Sequence, residues 1–390
     1  VILHLYEMCG LFPHPRPAER TSAMSSSVYF TNLRAKPGDN LLDKLNRLIT
    51  KAGMGGIDFD GKYVAIKIHF GEPGNLAYLR PNYAKVVADF VKARGGKPFL
   101  TDCNTLYIGG RKNALDHLES AYVNGYNPFT VGCHLLIADG LKGTDEVYVP
   151  VEGGEYVKEA KIGRAIMDAD IVISLNHFKG HEMTGFGGAL KNLGMGCGSR
   201  AGKMEMHRAG TPYAAHRLCV GCGACQKICA HGAPIMTDGK ITIDHSKCVG
   251  CGRCIGICPK DAIQPAQDES NDILNCKIAE YAKAVVDGRP SFHINLVMDV
   301  SPNCDCHGEN DAALVPDVGM FASFDPVALD QACADAVNAQ PILPGCAIDD
   351  DGEEKDHFHH MHPTTNWVSC LDHGEKLGLG SREYDLITVK

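Results

Sequence analysis

Two cysteine runs in the middle of the chain share one spacing, C-x-x-C-x-x-C-x-x-x-C, and a proline follows the second run. Such close spacing lets one loop bring three thiolates around an iron–sulfur cubane, while the fourth cysteine of each run ligates the other cubane. A pair of zinc ribbons would instead use cysteine pairs at a longer separation. The first run is Cys219, Cys222, Cys225 and Cys229, and the second is Cys248, Cys251, Cys254 and Cys258.

The spacing therefore predicts a ferredoxin-type module with two [4Fe-4S] clusters, which we place at residues 210–266. Interleaved ligands hold two clusters close together, and this arrangement suits one-electron transfer. Glycines beside the ligands allow the backbone angles that wrapping a cubane requires; they are Gly221, Gly223, Gly250 and Gly252. The predicted ligands are Cys219, Cys222, Cys225 and Cys258 for one cluster, and Cys248, Cys251, Cys254 and Cys229 for the other.

The composition narrows the class of protein around this module. Eighteen cysteines in a chain of 390 residues, eight of them in ligand spacing, favour metal chemistry in a reducing cytoplasmic compartment over a disulfide framework. The formal net charge of -9 argues against a nucleic-acid surface and is compatible with a redox partner protein. No apolar run approaches the roughly 20 residues that span a bilayer, so we expect no membrane segment. Residues 1–26 are predicted to be a disordered or over-extended leader.

Outside the module, short β-branched or aromatic runs alternate with amphipathic stretches. We expect buried strands at residues 63–68 and 170–175, and the same pattern resumes after the module with a helix at 273–286. This alternation predicts an α/β fold, with a mostly parallel sheet and flanking helices. The two-cluster ferredoxin-like module, itself α+β, is then an insertion between a first part at 27–209 and a second part at 267–390.

A polar segment at residues 176–192 follows the buried strand expected at 170–175. Glycines let backbone amides approach an anion and lysine supplies charge, so this segment is a candidate site for a small anionic ligand or a nucleotide cofactor. A surface turn of solvated polar residues is the alternative. The candidate residues are His181, Gly185, Gly187, Gly188 and Lys191.

Two thiols lie close together at Cys304 and Cys306, after the strand expected at residues 292–300. On a loop at the end of a strand they could bind a soft metal or react as a redox pair, although two ordinary loop thiols would give the same pattern. Further along, Asp325 and Pro326 are typical of a helix N-cap and the first helical residue.

Several motifs together resemble a family of uncharacterised iron–sulfur center proteins whose main domain is a domain of unknown function. The resemblance covers nearly the whole chain from Ser27 on. It implies the α/β fold and the cluster module but no settled reaction. The motifs are the segment 176–192, Lys67-Ile68-His69-Phe70-Gly71-Glu72, Asn303-Cys304-Asp305-Cys306 and Asp325-Pro326-Val327-Ala328-Leu329-Asp330.

The segment is also distantly similar to the nickel-pincer-nucleotide lactate racemases, which have a histidine, a Gly-Gly-x-Lys motif and a later histidine in this region. That resemblance implies Lys191 as the tether of the cofactor, His207 as a metal ligand and His181 as the acid–base residue. It also implies Arg80, followed by proline, as a substrate-binding residue. The second catalytic histidine of the racemases has no counterpart at residues 101–104, so racemisation with two opposed bases is not expected.

Three functions follow from these features. In the first, an oxidoreductase or electron-transfer subunit passes electrons through the two clusters to a ligand held by the α/β domain. In the second, the chain is a metal- or nucleotide-cofactor isomerase related to the racemases, with auxiliary clusters. In the third, it is a redox-sensing or partner-docking subunit without turnover of its own.

Overall fold

The computed structural model describes residues 25–107, 109–207, 212–265, 270–349, 352 and 355–390. Of the leader predicted at residues 1–26, only the last two residues are described, so that prediction lies outside the described part of the chain.

Sixteen strands occur in the described residues. They are β1 Ser26–Asn32, β2 Tyr63–Lys67, β3 Lys97–Asp102, β4 His134–Ile137, β5 Glu146–Pro150, β6 Glu159–Gly163, β7 Ile171–His177, β8 Lys179–His181, β9 Gly185–Gly187, β10 Pro212–Ala214, β11 Pro234–Thr237, β12 Lys240–Ile243, β13 Ile263–Pro265, β14 Ser291–Val297, β15 Gly319–Ser323 and β16 Tyr384–Thr388.

The α-helices of the same residues surround these strands. They are α1 Leu41–Lys51, α2 Pro81–Lys92, α3 Ala114–Val123, α4 Pro128–Val131, α5 Arg164–Met167, α6 Ala189–Cys197, α7 Arg200–His207, α8 Ala224–Ile228, α9 Arg253–Ile257, α10 Asn271–Val286, α11 Pro326–Asn338, α12 His357–Met361 and α13 Val368–Lys376.

Eight strands form a central sheet in the order β16-β1-β15-β14-β7-β2-β3-β4. Only β15 among them runs against its neighbours, since it pairs antiparallel with both β1 and β14 while the other five pairings are parallel. Helices cover both faces. The predicted α/β fold, with a mostly parallel sheet and flanking helices, is confirmed.

The strand β7 is buried on both faces of the sheet. All seven of its residues are buried, and successive side chains enter different cores: Val172 lies in the same core as Leu193 on the α6 and α10 side, whereas Ile173 lies in the same core as Leu48 on the α1 and α2 side. A parallel strand covered on both faces favours apolar residues at successive positions. The prediction at residues 170–175 found this strand because four of its first five residues are apolar.

The cysteine runs lie in a small α+β unit between β10 and β13, which pair antiparallel with each other. Each run carries a short helix, α8 or α9, and a hairpin of β11 and β12 separates them, with its turn at Asp238 and Gly239. Residues 208–211 and 266–269 lie outside the described part, so the module boundaries at 210 and 266 stay predictions. Within the described residues, no helix is long and apolar enough to cross a bilayer.

The predicted helix start at Asp325 is present. Its side chain accepts hydrogen bonds from the amides of Val327 and Ala328, both at 2.9 Å, and Pro326 is the first residue of α11. The carboxylate satisfies two of the amides that a helix N-terminus leaves without an intrahelical partner.

Candidate functional site

A buried cavity lies at the carboxyl ends of the parallel strands β2, β3 and β7. His69 follows β2, Asp102 ends β3 and His177 ends β7, and all three line the cavity. In α/β proteins ligands bind at this edge, because helices cover the faces of the sheet and the loops leave a crevice at the ends. We call it the central cavity; its other walls include His181, Gly187, Gly188, Lys191, His207, Cys304 and Cys306.

The segment predicted as an anion site, residues 176–192, forms the hairpin β8–β9 and the first turn of α6. Asp330 of α11 accepts hydrogen bonds from the amides of Ala189 at 2.7 Å and Leu190 at 2.9 Å. This carboxylate caps α6 from a neighbouring helix. Those two amides are therefore already paired and are not free to bind an anion.

Three side chains that can ligate a metal converge on one wall of the central cavity. A ring nitrogen of His181 and the Sγ atoms of Cys304 and Cys306 all lie within 4.8 Å of one another. Lys191 of α6 donates a hydrogen bond from Nζ to Cys304 Sγ at 3.4 Å. The wall thus combines an imidazole, two thiols and an ammonium group that come from β8, from the loop after β14 and from α6.

These contacts set the protonation of the groups. The hydrogen bond with Cys306, together with burial, raises the pKa of Cys304 to about 12, and the same bond lowers the pKa of Cys306. Burial, with the nearby charge of Lys191, lowers the pKa of His181 to about 4. Burial disfavours the charge of Lys191, but Cys304 and Cys306 outweigh it and raise the pKa of that lysine. Near neutral pH, Cys306 is the more acidic thiol and His181 is a neutral imidazole.

The carboxylate of Asp305 fixes the loop that carries both cysteines. Its Oδ1 accepts a hydrogen bond from His177 Nδ1 at 2.8 Å, and its Oδ2 lies 3.6 Å from Lys179 Nζ. His177 Nε2 faces the carbonyl oxygen of Met298 at 2.8 Å, so both ring nitrogens have acceptors. Burial alone would raise the pKa of Asp305, but His177 and Lys179 outweigh it and hold that pKa far below its usual range.

His207 at the end of α7 also lines the central cavity, and its Nε2 is hydrogen-bonded to the hydroxyl of Tyr107. Burial, together with the charges of His181 and Lys191, lowers the pKa of His207 to about 3. Three of the four residues to which the racemase resemblance gives roles, His181, Lys191 and His207, therefore line one cavity.

Two other predicted residues lie outside the lining of this cavity. The Arg80 side chain is 66% exposed, and its Nη2 lies 3.9 Å from Asp299 Oδ2 at the surface. Gly185 has a φ of +79° and faces Trp367, where a side chain would collide with the indole. The site roles predicted for Arg80 and Gly185 stay predictions.

A charged network at the wall of the central cavity includes one residue that the sequence does not mark. Arg111 donates from Nε to Glu72 Oε2 at 2.6 Å, and its Nη1 lies 2.8 Å from His69 Nε2. His69 and Glu72 belong to a motif quoted above for its family resemblance. Arg111 belongs to no motif, and only its burial, with 2% of the residue exposed, marks it.

The eight cysteines of the two runs surround two cavities inside the module. All eight are free thiols. The glycines of the two loops have φ values from +65° to +72°, a left-handed conformation that lets each loop turn around its cavity; they are Gly221, Gly223, Gly250 and Gly252. One cavity is lined by Cys219, Cys222, Cys225 and Cys258, and the other by Cys229, Cys248, Cys251 and Cys254. The grouping is the one that the spacing predicts, with the fourth cysteine of each set taken from the other run.

An open cleft, which we call the module cleft, lies between the cysteine module and the central cavity. His181 and Cys306 line both spaces. The cleft is therefore continuous with the wall that carries the imidazole and the thiols. Its remaining walls include Tyr213, Ile263 and Gln264 of the module and Glu72, Glu182 and His307 of the α/β domain.

Residues 64–335 match the family described as a domain of unknown function, DUF362. The chain belongs to this family. The match begins within β2 and ends within α11, so it includes the central cavity and all eight cysteines of the module. The resemblance to a domain of unknown function is thereby confirmed.

A curated relative of this family member is the thylakoid-associated protein sll1697 of Synechocystis sp. (strain ATCC 27184 / PCC 6803 / Kazusa). The two are 28% identical over 184 residues, which cover 45% of this chain and 51% of the relative. The chain thus spans about half the length of the curated relative that it matches.

Two solved structures are distantly similar. A Thermotoga maritima protein aligns with a TM-score of 0.39 and 14% identity over 75% of this chain and 57% of its own. The lactate racemase apoprotein from Thermoanaerobacterium thermosaccharolyticum aligns with a TM-score of 0.36 and 10% identity over 70% of this chain and 51% of its own. Likenesses this low carry no argument about the function of this chain.

Proposed function

We propose that this DUF362 protein is an oxidoreductase subunit that holds two [4Fe-4S] clusters in its cysteine module and passes electrons to a small anionic ligand in the central cavity. The observation that carries the proposal is the grouping of eight free thiols into two sets of four, each around its own cavity.

The residues present fit such clusters. Four thiols around one cavity are the ligand set that a cubane requires, and the left-handed glycines let each loop turn around its cavity. Cys219, Cys222, Cys225 and Cys258 would hold one cluster, and Cys248, Cys251, Cys254 and Cys229 the other. Bound there, the clusters would supply reversible one-electron chemistry.

Contacts between the module and the α/β domain support a path toward the central cavity. Leu106, which lines that cavity, and Met204 of α7 pack in one apolar cluster with Cys219, Cys225 and Cys254. Lys112 donates to the carbonyl oxygen of Cys258 at 3.4 Å and forms an ion pair with Asp261. The thiols of the module and the central cavity are therefore joined by packed side chains.

The lining of the central cavity favours an anion. Its cationic side chains are Arg111, Lys179, Lys191 and Lys203. Arg111 pairs with Glu72 and Lys179 with Asp305, and the cavity's carboxylate, Asp102, pairs with Lys67 at 2.9 Å. Among the described ion pairs, the two other lysines have no carboxylate partner, and an anionic ligand would offset their charge. Electrons would thus arrive beside a ligand whose negative charge is balanced by lysine.

A reducing, cytoplasmic compartment fits the proposal, because thiolates that bind iron must not be oxidised to disulfides. A soluble redox partner would then supply the electrons.

Anaerobic purification of the full chain, followed by iron and sulfide analysis and an EPR-monitored redox titration, tests the proposal. We expect two four-iron clusters per chain, with reversible reduction. Cys222→Ser should remove or convert one cluster, whereas Cys346→Ser, which lies outside both cysteine sets, should leave both intact. Protein without iron, or with zinc at the module cysteines, would overturn the proposal, and so would clusters that cannot be reduced reversibly.

A second candidate is a cofactor-dependent isomerase, because His181, Lys191 and His207 line one cavity as the racemase resemblance implies. Intact-mass analysis of protein from its native host would then show an adduct on Lys191 that is missing from Lys191→Arg. An unmodified Lys191 in protein that retains its iron would rule this candidate out and leave the electron-transfer proposal standing.

A further inference from the structure

We propose that His181, Cys304 and Cys306 bind one divalent metal ion of the zinc class, with one coordination position open to the module cleft. The metal would be separate from the module cysteines. A redox role for this metal, as the point where electrons reach the anionic ligand, rests on the proposed function. Binding of the metal does not depend on that function.

The ligand atoms are already near the geometry of such a site. They lie within 4.8 Å of one another, whereas ligands at tetrahedral zinc are roughly 3.5 to 3.8 Å apart for Zn–S of about 2.3 Å and Zn–N of about 2.0 Å. Small side-chain rotations would close this difference. A mixed set of thiolates and imidazole suits zinc and other borderline-soft divalent ions and is poor for calcium or magnesium, which prefer oxygen.

Two charged side chains beside the ligands support metal binding. Lys191 Nζ hydrogen-bonds to Cys304 Sγ at 3.4 Å and so partly offsets the negative charge of two thiolates. Glu182 Oε2 lies 3.6 Å from His181 Nδ1, and its Oε1 accepts a hydrogen bond from His307 at 3.0 Å. A carboxylate in this position orients a metal-bound imidazole in many zinc sites.

His181 would change its hydrogen bonding when it binds the metal. Its Nδ1 now accepts hydrogen bonds from the amides of Met183 at 3.1 Å and Thr184 at 3.3 Å. Coordination through Nε2 requires the tautomer with hydrogen on Nδ1, and Glu182 is the acceptor that can take this hydrogen bond. Glu182 is therefore a positioning residue for the metal site.

The position of the ligands leaves one side of the metal accessible. Three protein ligands with an open fourth position are typical of catalytic zinc, whereas structural zinc is enclosed by four. His181 and Cys306 line both the central cavity and the module cleft, so a ligand entering the cleft would reach the metal directly. We infer that a carboxylate or phosphate oxygen of the anionic ligand takes the fourth position.

Zinc binding by the full chain, purified anaerobically, tests the inference. Equilibrium dialysis against Zn²⁺, with zinc and iron counted together by elemental mass spectrometry, should give one more zinc per chain for the wild type than for Cys306→Ser. Cys346→Ser is the matched control and should keep this zinc. Glu182→Gln should weaken zinc binding by about tenfold, as loss of a carboxylate behind a histidine ligand does.

Zinc K-edge absorption spectroscopy supplies the second readout, because it observes zinc without interference from iron. The wild type should show two sulfur ligands and at least one nitrogen, and His181→Asn should lose the nitrogen while remaining folded by circular dichroism. This variant keeps the test decisive if Cys306→Ser fails to fold.

Equal zinc in the wild type and in both site variants would overturn the inference. A disulfide between Cys304 and Cys306 in anaerobic protein, detected by peptide mass, would overturn it as well and would assign these thiols to dithiol chemistry. Protein that lacks iron but keeps the zinc that depends on Cys306 would remove the proposed function and leave this metal site in place.

Discussion

His177 and Asp305 lie 128 residues apart in the chain, and their 2.8 Å hydrogen bond joins the end of β7 to the loop that carries Cys304 and Cys306. Both residues are buried, and Asp305 stands between the two cysteines in sequence. The position of both thiols therefore depends on a buried hydrogen bond at the carboxyl edge of the sheet.

Asp305→Asn should destabilise the fold strongly. The substitution removes the carboxylate that accepts a hydrogen bond from His177 and pairs with the buried Lys179, and breaking a buried pair in this way costs about 3 kcal/mol or more. The free energy of unfolding in urea would measure this loss. Asp89→Asn is the control, because its exposed pair with Lys85 contributes less than about 0.5 kcal/mol. Equal effects of the two substitutions would contradict the anchoring role of Asp305.

His373 should make stability depend on pH in the alkaline range. Hydrogen bonds with Cys276 and Glu280 raise its pKa to about 9 in the folded chain, above the ordinary value of about 6.5. A raised histidine pKa means that its contribution is complete below about pH 6.5 and is lost as pH rises through 9. The wild type should lose about 2 to 3 kcal/mol more than His373→Gln between these pH values. Denaturation curves at pH 6, 7.5 and 9 would check this, and parallel curves for the two proteins would refute it.

Gly188→Ala should uncap α6 and displace Lys191. A Cβ atom on Gly188 would lie 2.8 Å from Asp330 Cγ, so the carboxylate that holds the amides of Ala189 and Leu190 would have to move. Two hydrogen bonds of a buried acceptor are lost, at a cost of about 1 to 3 kcal/mol. Gly56→Ala is the matched control, since its Cβ would meet nothing within 4 Å, and it should change the melting temperature little. Retention of wild-type stability in Gly188→Ala would show that Asp330 is not needed as a cap.

Local patterns account for the parts of this structure that the sequence predicts correctly. The largely apolar start of β7 and the repeated spacing of the cysteines each depend on residues close together in the chain. The contact between Lys191 and Cys304 joins residues 113 apart and follows from no spacing rule. Asp330, which the sequence marks only as part of a motif of family resemblance, has a role because α11 packs against the start of α6. Arg111 was missed for the same reason, since a lone arginine carries no periodic signal.

Arg200 should raise the reduction potential of one cluster relative to the other. It is fully buried, and among the described residues its Nε and Nη1 have no hydrogen-bond partner. It lies against Gly252, where a Cβ would approach its Cγ to 2.7 Å, and it is close enough to Cys251 and Cys254 for their charge to affect its pKa. A buried positive charge stabilises the reduced, more negative state of a neighbouring cluster.

Arg200→Met should therefore lower the potential of the cluster assigned to the second run and leave the other nearly unchanged. For a unit charge at about 8 Å and an effective dielectric constant of about 20, the interaction is on the order of 2 kcal/mol. This corresponds to roughly 90 mV for one electron, since 59 mV is a tenfold change in the equilibrium constant. Arg200→Lys keeps the charge and should restore most of the potential. EPR-monitored titration of the two clusters would measure both shifts, and equal shifts of both clusters would mean that Arg200 acts on the packing of the module and not through its charge.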